Sequence, residues 1–439
     1  MSRTRLWILL GAAALVLAAV GIGVGVFVAM QDRPEGALDT DLDGVTVVTE
    51  TTTTAPPKPQ PEPPAEPVGD RQCWRTFGAD PRRSLGRPEL SLGLPARKAT
   101  WTRGLGTYIE FPPVYCDGEL YVNGFSGTTF AFDALTGKLR WKRRVGGTLP
   151  SSPAIDGPRL LVASQNGTVT ALDRETGERR WQIQTAGKVE SSPVVVEGTA
   201  FFGSHDGRLF AVRSDTGDIR WAYQTGGRIN ASPSVFGGRV CVTTYAGSFV
   251  CLDRRTGTKE WTTYLKRDAL RYESFYASPS SDGERLYSLS RAGTVYALDA
   301  ASGRVVWRAG VGGLGYTTPA VAEGRVFAGG FDRRLRAFRA TTGDELWSTQ
   351  LNGRLLGAPV VIGPYVFVST LEKRTYALRV EDGAVAWRIP LGKYTPGIAT
   401  ERTYFLSLNG RLIATPGRDA PKRATKARPK PSPPFERPG

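Results

Sequence analysis

Histidine, methionine and cysteine are scarce in this 439-residue sequence, which has one His, two Met and four Cys. Because His205 stands alone, neither a metal site built from several histidines nor a Ser-His-Asp triad is expected. We expect His205, in the turn Ser204–Gly207, to be an exposed turn residue. A Cys-x-x-Cys-His haem motif is also absent. These absences predict a protein without a metal site and without histidine-based catalysis.

Glycine and proline, by contrast, are abundant, and positive charge is in excess. The 52 Gly and 31 Pro predict frequent turns, as in an all-β chain of many short strands. The formal net charge of +16 suits an anionic partner such as a lipid surface, a cell-wall polymer or a nucleic acid. The alternative is that this charge serves solubility and a basic tail. Composition alone leaves both interpretations open.

The first thirty residues predict a membrane anchor. Arg3 and Arg5 precede an uncharged run of 25 residues, Leu6–Met30. As a helix this run would be about 37 Å long at roughly 1.5 Å per residue, enough to span a hydrocarbon core of about 30 Å. The arginines before the run place residues 1–5 in the cytoplasm. We therefore expect a single-pass signal anchor at residues 6–30, in the cell membrane, with the rest of the chain outside the cytoplasm.

Two segments on either side of the central sequence lack any apolar period. Residues 31–70 are rich in Thr and Pro, a composition that favours an extended, semi-rigid spacer. Residues 418–439 are rich in Pro and contain seven Lys or Arg and two acidic residues. We expect a disordered linker and a disordered basic tail, with a folded domain at residues 71–417 between them.

Between these segments the sequence repeats. Successive tryptophans are 40 residues apart, except for one interval of 46. Each unit has four short β-rich runs separated by Gly turns, as between Ser151 and Trp181, which predicts a four-stranded antiparallel meander. A fixed period of this length is typical of stacked structural units. The repeated tryptophans are Trp101, Trp141, Trp181, Trp221, Trp261, Trp307, Trp347 and Trp387.

The number of units predicts the architecture. Eight prolines open the units, from Pro113 to Pro396, and the last unit has no tryptophan of its own. We expect the strand Lys98–Arg103, which carries Trp101, to supply the missing outer strand and to close a ring. Because an isolated sheet of this size needs cover on both faces, we predict an all-β, eight-bladed β-propeller of four-stranded antiparallel blades, with repeats over residues 98–415.

Seven units share the pattern Ala-x-Asp-x-x-Thr-Gly-x-x-x-Trp or a close variant, and it is intact at residues 131–141 and 171–181. This pattern resembles the tryptophan-docking motif of pyrroloquinoline-quinone-type (PQQ-like) propeller repeats. That family includes quinoprotein dehydrogenases and the propeller lipoprotein of the outer-membrane β-barrel assembly machine. We expect each Trp to pack between blades, with its indole N–H bonded to a neighbour, rather than to stack on ligands. Departures from the pattern occur at Arg213, Cys251, Arg339, Arg379 and Asp382.

The resemblance also bears on activity. Quinone-dependent enzymes of this fold would be expected to have two adjacent cysteines, with calcium ligands and a catalytic Asp in long loops. No two cysteines are adjacent here, and the 40-residue period leaves no room for such loops. We therefore expect a non-catalytic binding or scaffold module for protein or anionic cell-envelope partners, without a cofactor and without nucleic acid. The alternatives are a PQQ-dependent oxidoreductase acting on an alcohol or sugar, and a sensor ectodomain, which the short segment before the anchor disfavours.

The four cysteines suggest two disulfide bonds. Cys241 and Cys251 lie at symmetric positions on either side of the turn at residues 245–247, where cross-strand partners come close together. Cys73 and Cys116 would then join the segment before the propeller to the first blade. Disulfides persist outside the cytoplasm, whereas the alternative is four small buried thiols.

One ring of positions predicts a binding surface. In a propeller, the loops that enter the inner strands gather at one mouth of the central channel, together with the turns between second and third strands. Here the residue three before each opening proline varies between blades. A six-residue insertion between Trp261 and Trp307 is expected to feed the same mouth with aromatic and basic anchors. The predicted binding residues are Glu110, Glu190, Asn230, Lys266, Arg267, Arg271, Tyr272, Tyr276, Tyr316 and Lys393. The alternatives are a solvated rim or a cation held by Glu110, Glu190 and Asn230.

Overall fold

The computed structural model describes residues 46–49, 73–268 and 271–420. Within these ranges the chain forms eight four-stranded antiparallel blades, each of which runs from an inner strand at the central channel to an outer strand, and two of the sheets carry one short additional strand. The predicted eight-bladed propeller of four-stranded blades is thereby confirmed. Blades 1 to 4 comprise Val114–Cys116, Glu119–Gly124, Thr128–Asp133 and Leu139–Arg144; Ala154–Asp156, Arg159–Ala163, Thr168–Asp173 and Arg179–Gln184; Val194–Val196, Thr199–Gly203, Arg208–Arg213 and Ile219–Gln224; and Ser234–Phe236, Arg239–Thr243, Ser248–Asp253 and Lys259–Tyr264.

The second half of the ring repeats this arrangement. Blades 5 to 8 comprise Ser280–Ser281, Arg285–Leu289, Thr294–Asp299 and Val305–Gly310; Ala320–Ala322, Arg325–Gly329, Arg334–Arg339 and Glu345–Gln350; Val360–Ile362, Tyr365–Thr370, Arg374–Arg379 and Val385–Ile389; and Gly397–Ala399, Thr403–Leu408, Arg411–Pro416 and Trp101–Gly104. The last of these strands confirms closure of the ring by the N-terminal strand, because Trp101 pairs with Ala414 and Gly104 with Arg411 in antiparallel register.

The repeated tryptophans join neighbouring blades. Seven of them donate an indole N–H hydrogen bond of 2.9–3.2 Å to a backbone carbonyl of the next blade, as Trp181 does to Ser214 at 3.0 Å. The rings of Trp101, Trp141, Trp181, Trp261, Trp307 and Trp347 also lie on a turn glycine of the next blade, where an added Cβ would collide with the indole. Trp387 faces blade 8, whose outer strand comes from the other end of the chain and which therefore has no Thr-Gly turn. For Trp387 the described residues show no comparable bond.

The Asp and Thr of the repeat motif stabilise the turn that the tryptophan packs on. In blade 1 the Asp133 carboxylate accepts hydrogen bonds from the Thr136 N–H at 2.8 Å and from the Thr136 hydroxyl at 2.7 Å. Gly137 then adopts a φ of 66°, in the left-handed region that favours glycine. The motif is therefore a folding element: the Asp holds the turn, the glycine reverses the chain, and the tryptophan of the preceding blade covers it.

A belt of hydroxyl groups joins the inner ends of the blades. In blades 2 to 5, the backbone N–H of the residue before the opening proline donates to the hydroxyl of the equivalent residue in the next blade, at 2.8–3.2 Å. The belt runs through Ser152, Ser192, Ser232, Ser278 and Thr318, all buried. Buried N–H groups that would otherwise lack acceptors are satisfied in this way, which explains the recurrent Ser-Pro pairs.

Residues 73–92 form a plug segment inside the ring, a feature that the sequence analysis did not predict. The segment makes hydrogen bonds to the inner strands of blades 1 to 7 in turn, and the Trp74 indole donates to Ala399 O of blade 8 at 2.5 Å. Its residues Gly86–Arg87 add a short parallel strand to Val361 and Ile362. The bonds to blades 1 to 7 join Trp74 to Tyr115, Arg75 to Ile155, Thr76 to Pro193, Pro81 to Val235, Arg82 to Ser281, Ser84 to Val321 and Leu85 to Val361.

Arg83 anchors the plug segment at its centre. Its side chain is fully buried, and its guanidinium donates to Pro233 O at 2.6 Å, Phe77 O at 2.6 Å and Ser192 O at 2.7 Å. Burial lowers the pKa of Arg83 to about 9, against the opposing charge of Asp80. Carbonyl groups of two blades thus converge on one buried cation, which fixes the plug relative to the ring.

Both predicted disulfide bonds are present. Cys73–Cys116 ties the start of the plug segment to blade 1, with a Cα–Cα distance of 4.4 Å, and Cys241–Cys251 joins two strands of blade 4 at 4.2 Å. None of the four cysteines is free. The covalent link at Cys73 holds the plug where it enters the channel.

The flanking segments differ in part from the expected disorder. Thr46–Thr49, within the linker predicted at residues 31–70, pairs with the outer strand of blade 2. At the other end, the Arg418 N–H donates to Leu94 O at 2.9 Å and the Asp419 N–H donates to Leu92 O at 3.1 Å, so the predicted tail begins with ordered residues. Within the described ranges no helix is both long and apolar enough to cross a membrane. The predicted anchor at residues 6–30, the rest of the linker and residues 421–439 lie outside them.

Candidate binding site at the mouth of the central channel

The loops that enter the inner strands enclose a cavity of about 60 Å³, which we call the mouth cavity. Phe77 of the plug segment and Phe111 contribute an apolar part, with ring centroids 5.2 Å apart. The predicted residues Glu110, Glu190 and Asn230 line this cavity together, although they are far apart in sequence. Its other lining residues are Pro150, Ser232, Tyr276, Ser278, Tyr316, Thr318, Leu356, Gly357, Ala358, Tyr394 and Thr395.

Glu190 is the centre of a hydrogen-bond network. Its Oε1 accepts from Gln165 Nε2 at 2.7 Å, and its Oε2 accepts from Asn230 Nδ2 at 2.8 Å and from the Tyr276 hydroxyl at 3.1 Å. His205 Nε2 lies 3.4 Å from the same oxygen. Burial alone would raise the pKa of Glu190, but the bonds from His205, Asn230 and Tyr276 outweigh it and lower the pKa to about 2. Glu190 is therefore a carboxylate at any physiological pH.

Glu110 is in the opposite situation. Burial, together with the negative charge of Glu190, raises the pKa of Glu110 to about 7, and Lys393 opposes this rise only in part. The mouth cavity thus contains one carboxylate that stays ionised and a second that gains or loses a proton near neutral pH. A positive charge placed between them would favour ionisation of both.

Asn230 has an acceptor atom that is not used. Its side chain is only 8% exposed, and its Oδ1 has no hydrogen-bond partner. Turning the amide over would place Oδ1 against the Glu190 carboxylate, which would repel it. A buried carbonyl oxygen without a donor is unfavourable, so this atom is available to a ligand that donates a hydrogen bond.

His205 does not lie in the exposed position that the sequence predicted. Its side chain is 16% exposed, and its Nε2 lies 2.9 Å from Asn230 Nδ2. The expectation of an exposed turn residue was wrong because the turn between the second and third strands of blade 3 folds inward over the mouth. A signal was present: such turns were expected to gather at this end of the channel.

Arginine and aromatic side chains alternate along one side of the rim, in loops of blades 4 to 7. The Arg228 guanidinium lies 4.1 Å from the Tyr245 ring centroid, and Arg291 donates to the hydroxyls of Tyr245 at 2.6 Å and Tyr316 at 3.0 Å. The series continues through the ring pair Tyr316–Phe331 at 5.5 Å and through Arg354, 5.5 Å from the Phe331 centroid. We call this surface the Arg/aromatic arc; its residues are Arg228, Tyr245, Arg291, Tyr316, Phe331 and Arg354. Only Tyr316 was predicted.

The insertion lies beside the mouth rather than in it. Lys266 and Tyr272 pair across a small hairpin, Arg271 forms an ion pair with Asp268 at 2.7 Å, and Tyr272 packs edge-on against Tyr264 at 5.9 Å. Arg267 is exposed on the same hairpin. The cavity lining therefore does not include four of the residues expected there, Lys266, Arg267, Arg271 and Tyr272, because the added residues form a hairpin of their own after the outer strand of blade 4.

Lys393 stands just outside the cavity. Its ammonium group lies 5.2 Å from the Tyr394 ring centroid and 5.9 Å from that of Tyr108. In the loop that enters blade 8, Tyr394 and Thr395 line the cavity, so the lining begins one position later than the repeat predicts. Lys393 is therefore a rim cation that acts on Glu110 through charge.

The described residues contain one group of side chains spaced for a metal ion, Cys73, Cys116 and Asp117. The two sulfurs of that group form a disulfide bond, so they are not thiolate ligands. Glu110, Glu190 and His205 are not spaced closely enough around one point to form a second group of this kind.

Comparison with known proteins gives fold relatives at low identity. The chain resembles BamB from Moraxella catarrhalis with a TM-score of 0.61, 19% identity, and coverage of 73% of this chain and 99% of that one. It also resembles quinohemoprotein alcohol dehydrogenase from Comamonas testosteroni (TM-score 0.66, 14% identity, 82% and 83% covered) and a europium-containing methanol dehydrogenase (0.65, 13%, 75% and 87%). At these identities the likeness shows the fold alone. No curated protein matches the chain.

A family model gives a more specific result. The model described as outer membrane protein assembly factor BamB matches residues 69–270 and 265–416, which together span the plug segment and all eight blades. The same span carries the tryptophan-docking turns, the closing strand and the mouth cavity. This protein therefore belongs to the family of PQQ-like β-propellers that this model represents.

Proposed function

We propose that this protein is a non-catalytic binding or scaffold propeller, tethered to the cell membrane and facing away from the cytoplasm, whose channel mouth receives a protein of the cell envelope. The description of the family as an assembly factor supports this role. The predicted anchor at residues 6–30 supports the tether, and the basic residues after Gly417 support an additional contact with an anionic envelope surface, at about 1 kcal/mol per basic residue near a membrane.

The observation that carries the proposal is the Arg/aromatic arc. Tyr and Arg are enriched among the residues that dominate the energy of protein interfaces. Arg228, Arg291 and Arg354 are exposed, while the rings between them are partly buried and hold the guanidinium groups in place. A surface already ordered in this way loses little side-chain entropy when a partner binds.

The second candidate is a PQQ-dependent oxidoreductase, favoured by the fold likeness to two dehydrogenases. The residues of the mouth cavity do not fit that cofactor. PQQ is a planar anion with three carboxyl groups, whereas the cavity has a volume of about 60 Å³ and contains the carboxylate of Glu190. Sites for ligands of that size typically have about 300–1,000 Å³. Carboxylate facing carboxylate would also repel.

Capture of the partner tests the proposal. The full anchored chain is crosslinked in its native membrane. When Arg291 and Tyr316 are both changed to Ala, it should capture at least tenfold less partner than the wild type does. Arg402→Ala, an exposed arginine at the opposite end of the propeller, is the matched control and should capture as the wild type does. Unchanged capture by the double variant, with an unchanged melting temperature, would remove the arc from the interface.

Activity tests the second candidate. The full chain is incubated with PQQ and Ca²⁺ and then assayed for reduction of an artificial electron acceptor by alcohols and sugars. We expect no reduction above the level given by PQQ without protein. Saturable, protein-dependent reduction would replace the scaffold role with an oxidoreductase.

A further inference from the structure

We propose that the mouth cavity binds an alkylammonium group, the chemistry of a lysine side chain. This inference rests on the proposed function and names the group that a partner would insert into the mouth. Three features of the mouth cavity support it: the hydrogen-bond acceptors, the aromatic walls and the volume.

The acceptors favour a cationic donor. Glu190 presents a carboxylate, Glu110 a second carboxyl group, and Asn230 a buried Oδ1 without a partner. An ammonium group donates three hydrogen bonds and accepts none, so each of these three groups can serve as its acceptor. An anion would meet two carboxyl groups, and an apolar group would leave the Asn230 oxygen unsatisfied.

The walls favour a cation on an aliphatic stem. Tyr276 and Tyr316 meet edge to face at 5.9 Å on one side of the cavity, and Tyr394 lies on another. Aromatic faces attract cations, and the apolar rings of Phe77 and Phe111 offer a surface for methylene groups. Lys393 does not fill this role itself, since its ammonium group lies outside the cavity over Tyr394 and Tyr108.

The size of the cavity fits an alkylammonium group. A cavity needs about 10–15 Å³ for each atom the size of a water molecule, so a cavity of about 60 Å³ holds on the order of four to six such atoms. Four methylenes and one nitrogen, the side chain of lysine, fall within that range. Among the described residues, the carboxylate and imidazole groups at the mouth do not form a group spaced for a metal ion.

The experiment uses the full chain in detergent, titrated calorimetrically with n-butylammonium, guanidinium and Ca²⁺ in parallel. We expect saturable binding of n-butylammonium, at least tenfold weaker in Glu190→Gln and in Asn230→Leu. Glu323→Gln, the same chemical change in an exposed turn at the opposite end of the propeller, should bind as the wild type does. Failure of n-butylammonium to bind, or binding of Ca²⁺ or guanidinium in its place, would overturn the inference.

A proton readout tests the geometry separately. A cation in the cavity stabilises the carboxylate form of Glu110, so binding at pH 6 should release protons that buffers of different ionisation enthalpy detect. Glu190, Lys393 and Tyr276 also face this group, but only Glu110→Gln should abolish the release. Proton release that persists in Glu110→Gln would place the ligand elsewhere.

Two further experiments test whether the ammonium group comes from a partner lysine and whether ammonium binding can be lost without the proposed function. A blocked Gly-Lys-Gly peptide that binds as tightly as n-butylammonium supports a partner lysine, whereas binding of the free amine alone would overturn that source. The Arg291→Ala, Arg354→Ala double variant changes arc residues outside the cavity lining, so it should lose partner capture and keep n-butylammonium binding. Partner capture that survives Glu190→Gln unchanged would defeat this inference and leave the scaffold role standing.

Discussion

At the scale of single residues, the two mouth carboxyl groups have opposite relations to their surroundings. Glu190 receives hydrogen bonds from Gln165, Asn230 and Tyr276, which stabilise its charge and lower its pKa to about 2. Glu110 is buried beside that charge, which raises its pKa to about 7. The same residue type therefore stabilises the fold at one position when ionised and destabilises it at the other.

This difference predicts opposite pH dependences for two variants. Glu190 has a lowered pKa, so its contribution is present above about 4.5 and is lost as pH falls toward about 2. Glu190→Gln should therefore cost roughly 3 kcal/mol at pH 7 and nearly nothing near pH 2. Glu110 has a raised pKa, so its contribution is present below about 4.5 and is lost as pH rises through about 7. Glu110→Gln should gain stability relative to the wild type over that interval. Urea unfolding of the full chain across this pH range measures both, and parallel curves for the two variants would contradict the prediction.

At the scale of structural elements, the contact between one blade's tryptophan and the next blade's turn is the unit that repeats. Trp181 shows it fully: its ring is 1% exposed, its N–H reaches Ser214 O at 3.0 Å, and it covers Gly217. Trp387 is only half-buried, because blade 8 offers no equivalent turn. Seven blade interfaces thus share the indole hydrogen bond, and the described residues show no such bond at the interface where the two ends of the chain meet.

The two tryptophans are a matched pair for mutation. Trp181→Ala should cost about 3–5 kcal/mol, because it removes a fully buried ring and leaves the Ser214 carbonyl without its donor. Trp387→Ala should cost about half as much or less, since less of its ring is buried. Denaturant unfolding of the two variants gives the comparison. Equal losses of unfolding free energy in the two variants would mean that docking on the turn adds nothing measurable to the stability that the tryptophan contributes.

At the scale of the whole molecule, the ring is held in two independent ways. The strand Trp101–Gly104 completes blade 8 and spares it an exposed edge. The plug segment makes hydrogen bonds to every blade from the inside and is fixed by Arg83 and by the Cys73–Cys116 bond. Closure therefore acts at the perimeter, and the plug acts at the axis.

Truncation should separate these contributions. Chains that start at residue 71 should fold and melt highest; chains that start at residue 97 keep the closing strand but lack the plug; chains that start at residue 105 lack both. We expect melting temperatures to fall in that order, measured by circular dichroism with the disulfide Cys241–Cys251 intact in all three. Equal midpoints for starts at 97 and 105 would refute stabilisation by the closing strand.

The topology of the anchored chain is a separate prediction. If Leu6–Met30 crosses the membrane with residues 1–5 in the cytoplasm, protease added to intact cells should release the propeller from the membrane fraction. A variant with Arg3 and Arg5 moved behind the run is the control, because reversed charge should reverse the orientation. Complete protection of the wild-type propeller would contradict the predicted orientation.

Features that repeat or that lie close in the chain could be predicted from the sequence by itself. The tryptophan period determines the number of blades, the missing tryptophan after Pro396 assigns Trp101 to the last blade, and the symmetric positions of Cys241 and Cys251 predict their bond. The ring of variable positions also predicted that five residues lie at the mouth, since each blade brings the same position to the same end of the channel. The residues are Glu110, Glu190, Asn230, Tyr276 and Tyr316, and all of them line the cavity.

Only the tertiary structure decided how those positions interact. Arg83 carries no periodic signal, and its role arises because carbonyls of blades 3 and 4 meet the plug at one buried point. His205 reaches Asn230 because the turn that carries His205 folds over the mouth, and the insertion misses the cavity because its residues pair within a hairpin of their own. A repeat specifies where the backbone of each blade lies, but contacts between segments far apart in the chain depend on packing that no local pattern encodes.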